Sequence, residues 1–234
     1  KACGFLIEKE LKFFNKALDN PQRPLVCIVG GAKVSDKIKL ITNLINKSDH
    51  IIIGGGMAYT FKKVLNNMKI GKSLFDKEGK DIVAEIIEKA EKKNVKIHLP
   101  IDHLVADNFS NNSNTKIVND QDGIDDNWMG LDIGPRTINY FKEVIKNSNT
   151  IIWNGPMGVF EMEKFSNGTK EILKCIAEQT DLGKMTIVGG GDTATAAKMF
   201  SLDHKISHVS TGGGVSLELM EGKKLPGIEI LKIE

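Results

Sequence analysis

The sequence predicts an α/β fold, a parallel sheet covered by helices on both faces. Three observations carry that expectation. Short apolar runs alternate with amphipathic helical stretches along nearly the whole chain. The apolar runs lack in–out alternation, as strands buried on both faces do. Glycine-rich turns follow them in "IVGGAKVSDK", "IIIGGGMAYT", "IIWNGPMGVF", "IVGGGDTATA" and "VSTGGGVSLE". Crossovers in such sheets are right-handed, which brings every strand C-terminus to one edge. The glycine turns are therefore expected on a single rim, where open α/β sheets bind ligands.

Each element follows from local pattern. "FLIEKELKFFNKAL" places Ile7, Leu11, Phe14 and Leu18 at helical spacing, and "NPQRP" stops that helix. "LVCIVG" reads as a fully buried strand, "DKIKLITNLINK" as a helix, "HIIIGG" as a strand and "MAYTFKKVLNNM" as a helix. In "KDIVAEIIEKAEKKN", Ile82, Val83, Ile86, Ile87 and Ala90 share one face of a long polar helix. "VKIHLPI" is the next strand. Residues 107–128, rich in Asn, Asp and Ser, read as an exposed excursion with a hairpin around "TKIV". The alternation then resumes with helix "RTINYFKEVIKN", strand "TIIWNG", helix "GTKEILKCIAEQ" and strand "MTIVGG". Helix "ATAAKMF", strand "SHVSTGG" and the helix start "SLELMEG" complete the series.

A chain of 234 residues, 41% hydrophobic, can bury a sizeable core as one large domain. The formal net charge of +2 and the lack of basic–aromatic tracts argue against nucleic acid or a membrane surface as the main partner. No apolar run approaches the ~20 residues that span a bilayer. Cys3, Cys27 and Cys175 are scattered and odd in number, which points to a reducing cytosol rather than a disulfide framework. Cys27, inside a strand, is expected to be a small buried hydrophobe, and His98 and His208 are expected to be structural.

Glycine clusters on one rim let a ligand approach bare backbone, while helix N-termini direct N–H groups towards it. An anionic or nucleotide ligand is the economical inference. In "GGAKVSDK", Lys33 and Lys37 are four apart and are expected on one face of a helix start. Cations are disfavoured there unless a polyphosphate offsets the penalty. Asp192, after "GGG", suits a first-turn acid, yet a carboxylate among phosphates implies a divalent cation between them. Mg²⁺ bound by one carboxylate plus substrate phosphates meets that constraint; Asp36 is a weaker second choice. Glu161 suits ribose hydroxyls.

Two familiar glycine grammars are absent: there is no "GxxxxGK[ST]", and no "GxGxxG" followed by a strand-end acid. The "HRD" and "DFG" signatures of protein kinases are missing as well.

Taken in order, "GFLIEKELKFF", "GGAKVSDK", "IIGGGMAYTF", "NGPMGVFE", "GGGDTATA" and "HVSTGGGVSLELMEGKKLPG" resemble the C-terminal, nucleotide-binding domain of the phosphoglycerate kinase family. The likeness covers residues 1–234. It implies a Rossmann-like three-layer sandwich with a six-stranded parallel sheet, and Mg-ADP or Mg-ATP bound on the rim. By motif, it implies Lys37 at the transferring phosphoryl group, Lys33 at the nucleotide phosphates, and Gly213 and Gly214 offering amides near that group. Gly31, Ala32, Gly55 and Gly56 would be backbone walls, with Leu74, Gly130, Leu131 and Val159 flanking the adenine. Asn154, Gly155, Pro156 and Phe160 would line the ribose and phosphates, Glu161 would hold the ribose, Asp192 Mg²⁺, and Thr193 a phosphate. The reaction implied is reversible phosphoryl transfer between 1,3-bisphosphoglycerate and ADP, by a cytoplasmic monomer.

The family has a second, N-terminal lobe that holds the phosphoglycerate, and this sequence starts near the interdomain helix without it. The end at "LPGIEILKIE" is where a short tail packing back on that lobe would be expected. The expectation is a piece that folds, binds nucleotide and turns over negligibly alone. A nucleotide-binding module without catalysis is the alternative, and a dinucleotide-dependent oxidoreductase a weaker third.

Overall fold

The computed structural model describes residues 5–210 and 213–223. In chain order the elements are α1 (Phe5–Asp19), β1 (Leu25–Val29), α2 (Ile38–Ile45), β2 (His50–Ile53), α3 (Met57–Asn66) and α4 (Lys80–Lys92). Then come β3 (Lys96–His98), β4 (Asp102–Ala106), β5 (Thr115–Asn119), β6 (Met129–Ile133) and α5 (Pro135–Lys146). The series closes with β7 (Thr150–Asn154), α6 (Asn167–Asp181), β8 (Met185–Gly189), α7 (Gly191–Met199), β9 (His208–Val209) and α8 (Gly213–Met220).

Six strands form one sheet in the order β3-β2-β1-β7-β8-β9, and every pairing in it is parallel. The fold is a Rossmann-like three-layer sandwich. Its strands lack hydrophobic alternation because both faces are covered. On β1, Leu25, Cys27 and Val29 join the core under α1 to α4 and α8, whereas Val26 and Ile28 join the core under α5 to α7. Ile152 and Ile187 point to the first core, Ile151, Trp153 and Val188 to the second. Burying a large side chain of this kind stabilises the fold by about 1.5–3 kcal/mol.

Three sequence-based expectations are corrected. "VKIHLPI" forms a shorter strand than expected, β3 ending at His98, and directly after it β4 begins a second sheet that was not expected, order β5-β4-β6, in which both pairings are antiparallel. The "TKIV" hairpin does form, as β5 against β4. Residues 107–128, however, are not simply an exposed excursion, because Ile124 is fully buried with Tyr59, Met68, Ile70 and Val105 in a separate small core.

Lys33 and Lys37 do not share a helix face either. Lys33 lies in the loop before a single 3₁₀ turn over Ser35–Lys37, and α2 starts only at Ile38. The Ser35 N–H there donates to Asp76 Oδ2 at 2.8 Å, and Val34 is fully buried. Residues 211, 212 and the "LPGIEILKIE" tail lie outside the described residues.

Candidate functional site

The C-terminal ends of β1, β2, β7 and β8 meet at one rim, and the glycines there divide into two groups. Some exist because the chain packs on itself. A Cβ on Gly30 would come within 2.1 Å of the Pro156 carbonyl oxygen, and one on Gly155 (φ +97°) within 2.3 Å of the Gly30 oxygen. The β1 and β7 turns therefore lie backbone against backbone, a contact no side chain permits. Others face open space: a Cβ on Gly191 or Gly214 would meet nothing within 4 Å. Close packing and open backbone thus both occur within these turns.

Two cavities lie along the rim. The larger, about 380 Å³, is lined by Gly31, Ala32, Gly55, Gly56, Leu74, Gly130, Leu131, Pro156, Val159, Glu161 and Asp192. Much of its wall is apolar, and Leu74 overhangs it with 56% of its surface exposed. The smaller, about 220 Å³, is lined by Lys37, Asn154, Gly155, Gly190, Gly191, Asp192, Thr193 and Leu217. Asp192 borders both. This spreads an apolar slot and a polar pocket along one edge, with an acid where they meet.

The polar pocket is tightly wired. Lys37 Nζ donates to Asn154 Oδ1, and the fully buried Thr193 accepts from the Gly155 N–H through Oγ1 at 2.7 Å. Burial lowers the Lys37 pKa, opposed chiefly by the Asp192 carboxylate. Asp192 sits in the first turn of α7, behind Gly190 at φ +88°. Asp76 anchors the loop that carries Lys37: its Oδ1 accepts from the Glu78 and Gly79 N–H groups and its Oδ2 from Ser35.

The remaining expected residues are placed differently. Lys33 is exposed and borders neither cavity. Phe160 is 2% exposed and belongs to the core under α5 to α7. Gly213 and Gly214 open α8, whose Leu217 borders the polar pocket. Asp36 is exposed on the 3₁₀ turn.

Several cavity residues had no signal in the sequence pattern. Tyr59, Ser73, His103, Phe109, Met129 and Asp132 all line the larger cavity. His103, Met129 and Asp132 belong to the antiparallel sheet, and Phe109 to its β4–β5 loop. Asp132 is buried at 2% exposure, accepting from the Ile133 N–H (2.9 Å) and the Gly168 N–H (2.7 Å). Burial pushes its pKa up to about 7 despite those two bonds. Cys27 is buried in β1 with its thiol pushed up to about 12 by burial, inert as expected. Among the described residues no His, Cys, Asp or Glu cluster could hold a metal ion, and no helix is long and apolar enough to cross a membrane.

An open parallel sheet with cavities along its C-terminal rim defines the chain as a doubly wound α/β domain, a class of fold in which ligands bind at strand ends. The chain belongs to the phosphoglycerate kinase family, whose model matches residues 1–223. It is 64% identical over 228 residues to phosphoglycerate kinase of Plasmodium falciparum (isolate 3D7), covering 97% of this chain and 55% of that protein. The phosphoglycerate kinase of Schistosoma mansoni is 58% identical over 231 residues, covering 99% and 56%. The solved phosphoglycerate kinase of Coxiella burnetii superposes with a TM-score of 0.91 at 45% identity, covering 97% of this chain and 57% of that one. The chain thus spans about half the length of the relatives it matches.

Proposed function

We propose that this chain is the nucleotide-binding half of a phosphoglycerate kinase, a phosphotransferase with a carboxyl group as acceptor. In glycolysis it would carry a phosphoryl group between 1,3-bisphosphoglycerate and ADP, giving 3-phosphoglycerate and ATP. The observation that carries this reading is the junction of the two cavities at Asp192. An adenine suits the apolar slot between Gly56, Leu74, Leu131 and Val159, with its ribose at Glu161. The phosphates would then run into the pocket of Lys37, Asn154 and Thr193.

Mg²⁺ fits the donor set. It usually binds one or two carboxylates plus substrate phosphates rather than an all-protein cage, and Asp192 is a single exposed acid at the junction. When bound, it would supply positive charge between that acid and the phosphate oxygens. Lys37, poised by burial and by its bond to Asn154, would hold the oxygens of the group in transfer. The N-terminal ends of α7 and α8 would turn partial positive charge towards the same phosphates. Such transfers ask for positioning and charge stabilisation rather than covalent chemistry from the protein.

Phosphoglycerate would come from a second lobe, so the reading assigns binding, but not appreciable turnover, to these residues alone. A cytoplasmic setting and a monomeric state belong to the same proposal. Calorimetric titration tests the proposal: Mg-ADP should bind saturably and NAD should show no comparable affinity. Equal binding of both, or of neither, would overturn it.

A further inference from the structure

Asp76 lies on the loop between α3 and α4, lines neither cavity, and is 8% exposed. A buried carboxylate needs hydrogen-bond donors, and here backbone N–H groups supply them. Oδ1 accepts from Glu78 (3.1 Å) and Gly79 (3.0 Å), closing its own loop. Oδ2 accepts from Ser35 (2.8 Å), 41 residues earlier in the chain. Burial works to raise the Asp76 pKa, but these hydrogen bonds outweigh it and hold the group below the usual carboxylate range. The Asp76 N–H in turn donates to Oγ1 of Thr60, fully buried on α3, at 2.9 Å. Asp76 is therefore a strut, with α3 at one end and the turn that carries Lys37 at the other. The fit is close: a Cβ on Gly79 would come within 2.5 Å of Asp76 Oδ2 and 2.8 Å of Val34 Cβ.

Ser35–Lys37 is a single 3₁₀ turn, closed by the Lys37 N–H on the Val34 carbonyl at 2.9 Å. A turn so short is held only weakly by its own hydrogen bond, so its placement depends on what grips it from outside. Those grips are Val34 in the core and Ser35 on Asp76. We propose that Asp76 is a positioning residue for the phosphates of the nucleotide: through Ser35 it fixes the 3₁₀ turn, and so holds the Lys37 ammonium at the polar pocket before they arrive. The inference rests on the reading of that pocket as the phosphate site. It goes further by naming a residue outside both cavities on which Lys37 depends. Leu74, on the same loop as Asp76, has a tie of its own, because the neighbouring Ser73 Oγ accepts from the Gly130 N–H at 2.9 Å. Loss of Asp76 therefore falls on the phosphate end of the site and not on the apolar slot.

Asp76→Asn keeps the side-chain volume and leaves one oxygen. That oxygen can serve the Glu78 and Gly79 N–H groups, and the amide then faces Ser35 donor to donor. Calorimetric titration with Mg-ADP of the parent chain, Asp76→Asn, Lys37→Ala and the double variant closes a cycle. Asp76→Asn should weaken binding by about fivefold, inside the loss of about tenfold expected of Lys37→Ala, and should cost nothing further once Lys37 is gone. A merely structural role would make the two losses multiply to about fiftyfold, and that result overturns the proposal. Undiminished affinity in Asp76→Asn overturns it too. Neither result touches the nucleotide reading, which falls, and this inference with it, if Mg-ADP does not bind the parent chain. Should Asp76→Asn not fold, hydrogen exchange in the parent chain decides, because coupling between two sites is reciprocal. Saturating Mg-ADP should slow exchange of the Ser35 amide by about tenfold in the parent and far less in Lys37→Ala. Equal slowing in both, or none in either, overturns the proposal.

Discussion

At the scale of the residue, Lys37 shows how a cation can be readied before it meets an anion. Its stem is part-buried, its ammonium is tied to Asn154, and its lowered pKa records the loss of water around it, against the pull of Asp192. An arriving phosphate would find this charge already oriented and poorly hydrated, which strengthens the attraction. Lys37→Ala should therefore weaken Mg-ADP binding only modestly, by about tenfold, since backbone amides and Asp192 remain. In a two-lobed enzyme it should slow phosphoryl transfer by about 10²–10³-fold, as loss of a preorganised charge partner does. Titration of the chain and steady-state kinetics of the complete enzyme would measure the two effects. Equal losses in both would show that Lys37 only binds. The meeting of Lys37 and Asp192 at one rim was legible from the glycine-rich turns that carry them. The helical face expected for Lys33 and Lys37 does not form: the backbone there is a loop and a single 3₁₀ turn, with Val34 buried and Ser35 tied to Asp76.

At the scale of the element, the turns after β1 and β7 carry the rim. Their carbonyls and Cα atoms touch through Gly30 and Gly155, so the two strand ends are held at a separation that admits no methyl group. Gly30→Ala should lower stability by about 1–3 kcal/mol, the usual range for forcing extra volume into a packed site. It should also move Asn154 and Pro156, and with them both cavities. Urea unfolding measures the first effect and Mg-ADP affinity the second; an alanine accepted without change in either would contradict the close approach. The helices and parallel strands were readable because each has one strong signal, an amphipathic face or a continuous apolar run. β4 and β6 were not. They carry polar residues such as Asp102, His103 and Asp132 inside, and follow their neighbours without an intervening helix. The residues they bring to the cavity could not be found by pattern for the same reason.

For the whole molecule, pH acts on stability through Asp132. Its pKa is about 7 in the fold, raised by burial, against about 3.9 in an unfolded chain. The fold binds this proton more tightly than the unfolded chain does. The contribution is thus fully present below about pH 4 and is lost as pH rises through 7. Asp76, Asp120 and Glu171 run the opposite way, having depressed pKa values and giving stability that is lost on acidification. Comparison with Asp132→Asn isolates the single group. The parent's stability relative to this variant should fall by roughly 2–4 kcal/mol between pH 4 and pH 8. Parallel curves in denaturant titrations across that interval would show that Asp132 does not titrate there.

The second sheet gives the rim a division of labour. Its β6 and the β4–β5 loop supply one side of the apolar slot, whereas the polar pocket draws its lining from the 3₁₀ turn, the β7 and β8 ends and α8. The two ends of a long ligand would consequently answer to separate stretches of chain. Under the proposed reading, substitutions in residues 102–133 would change the wall of the apolar slot and leave the polar pocket's lining unchanged.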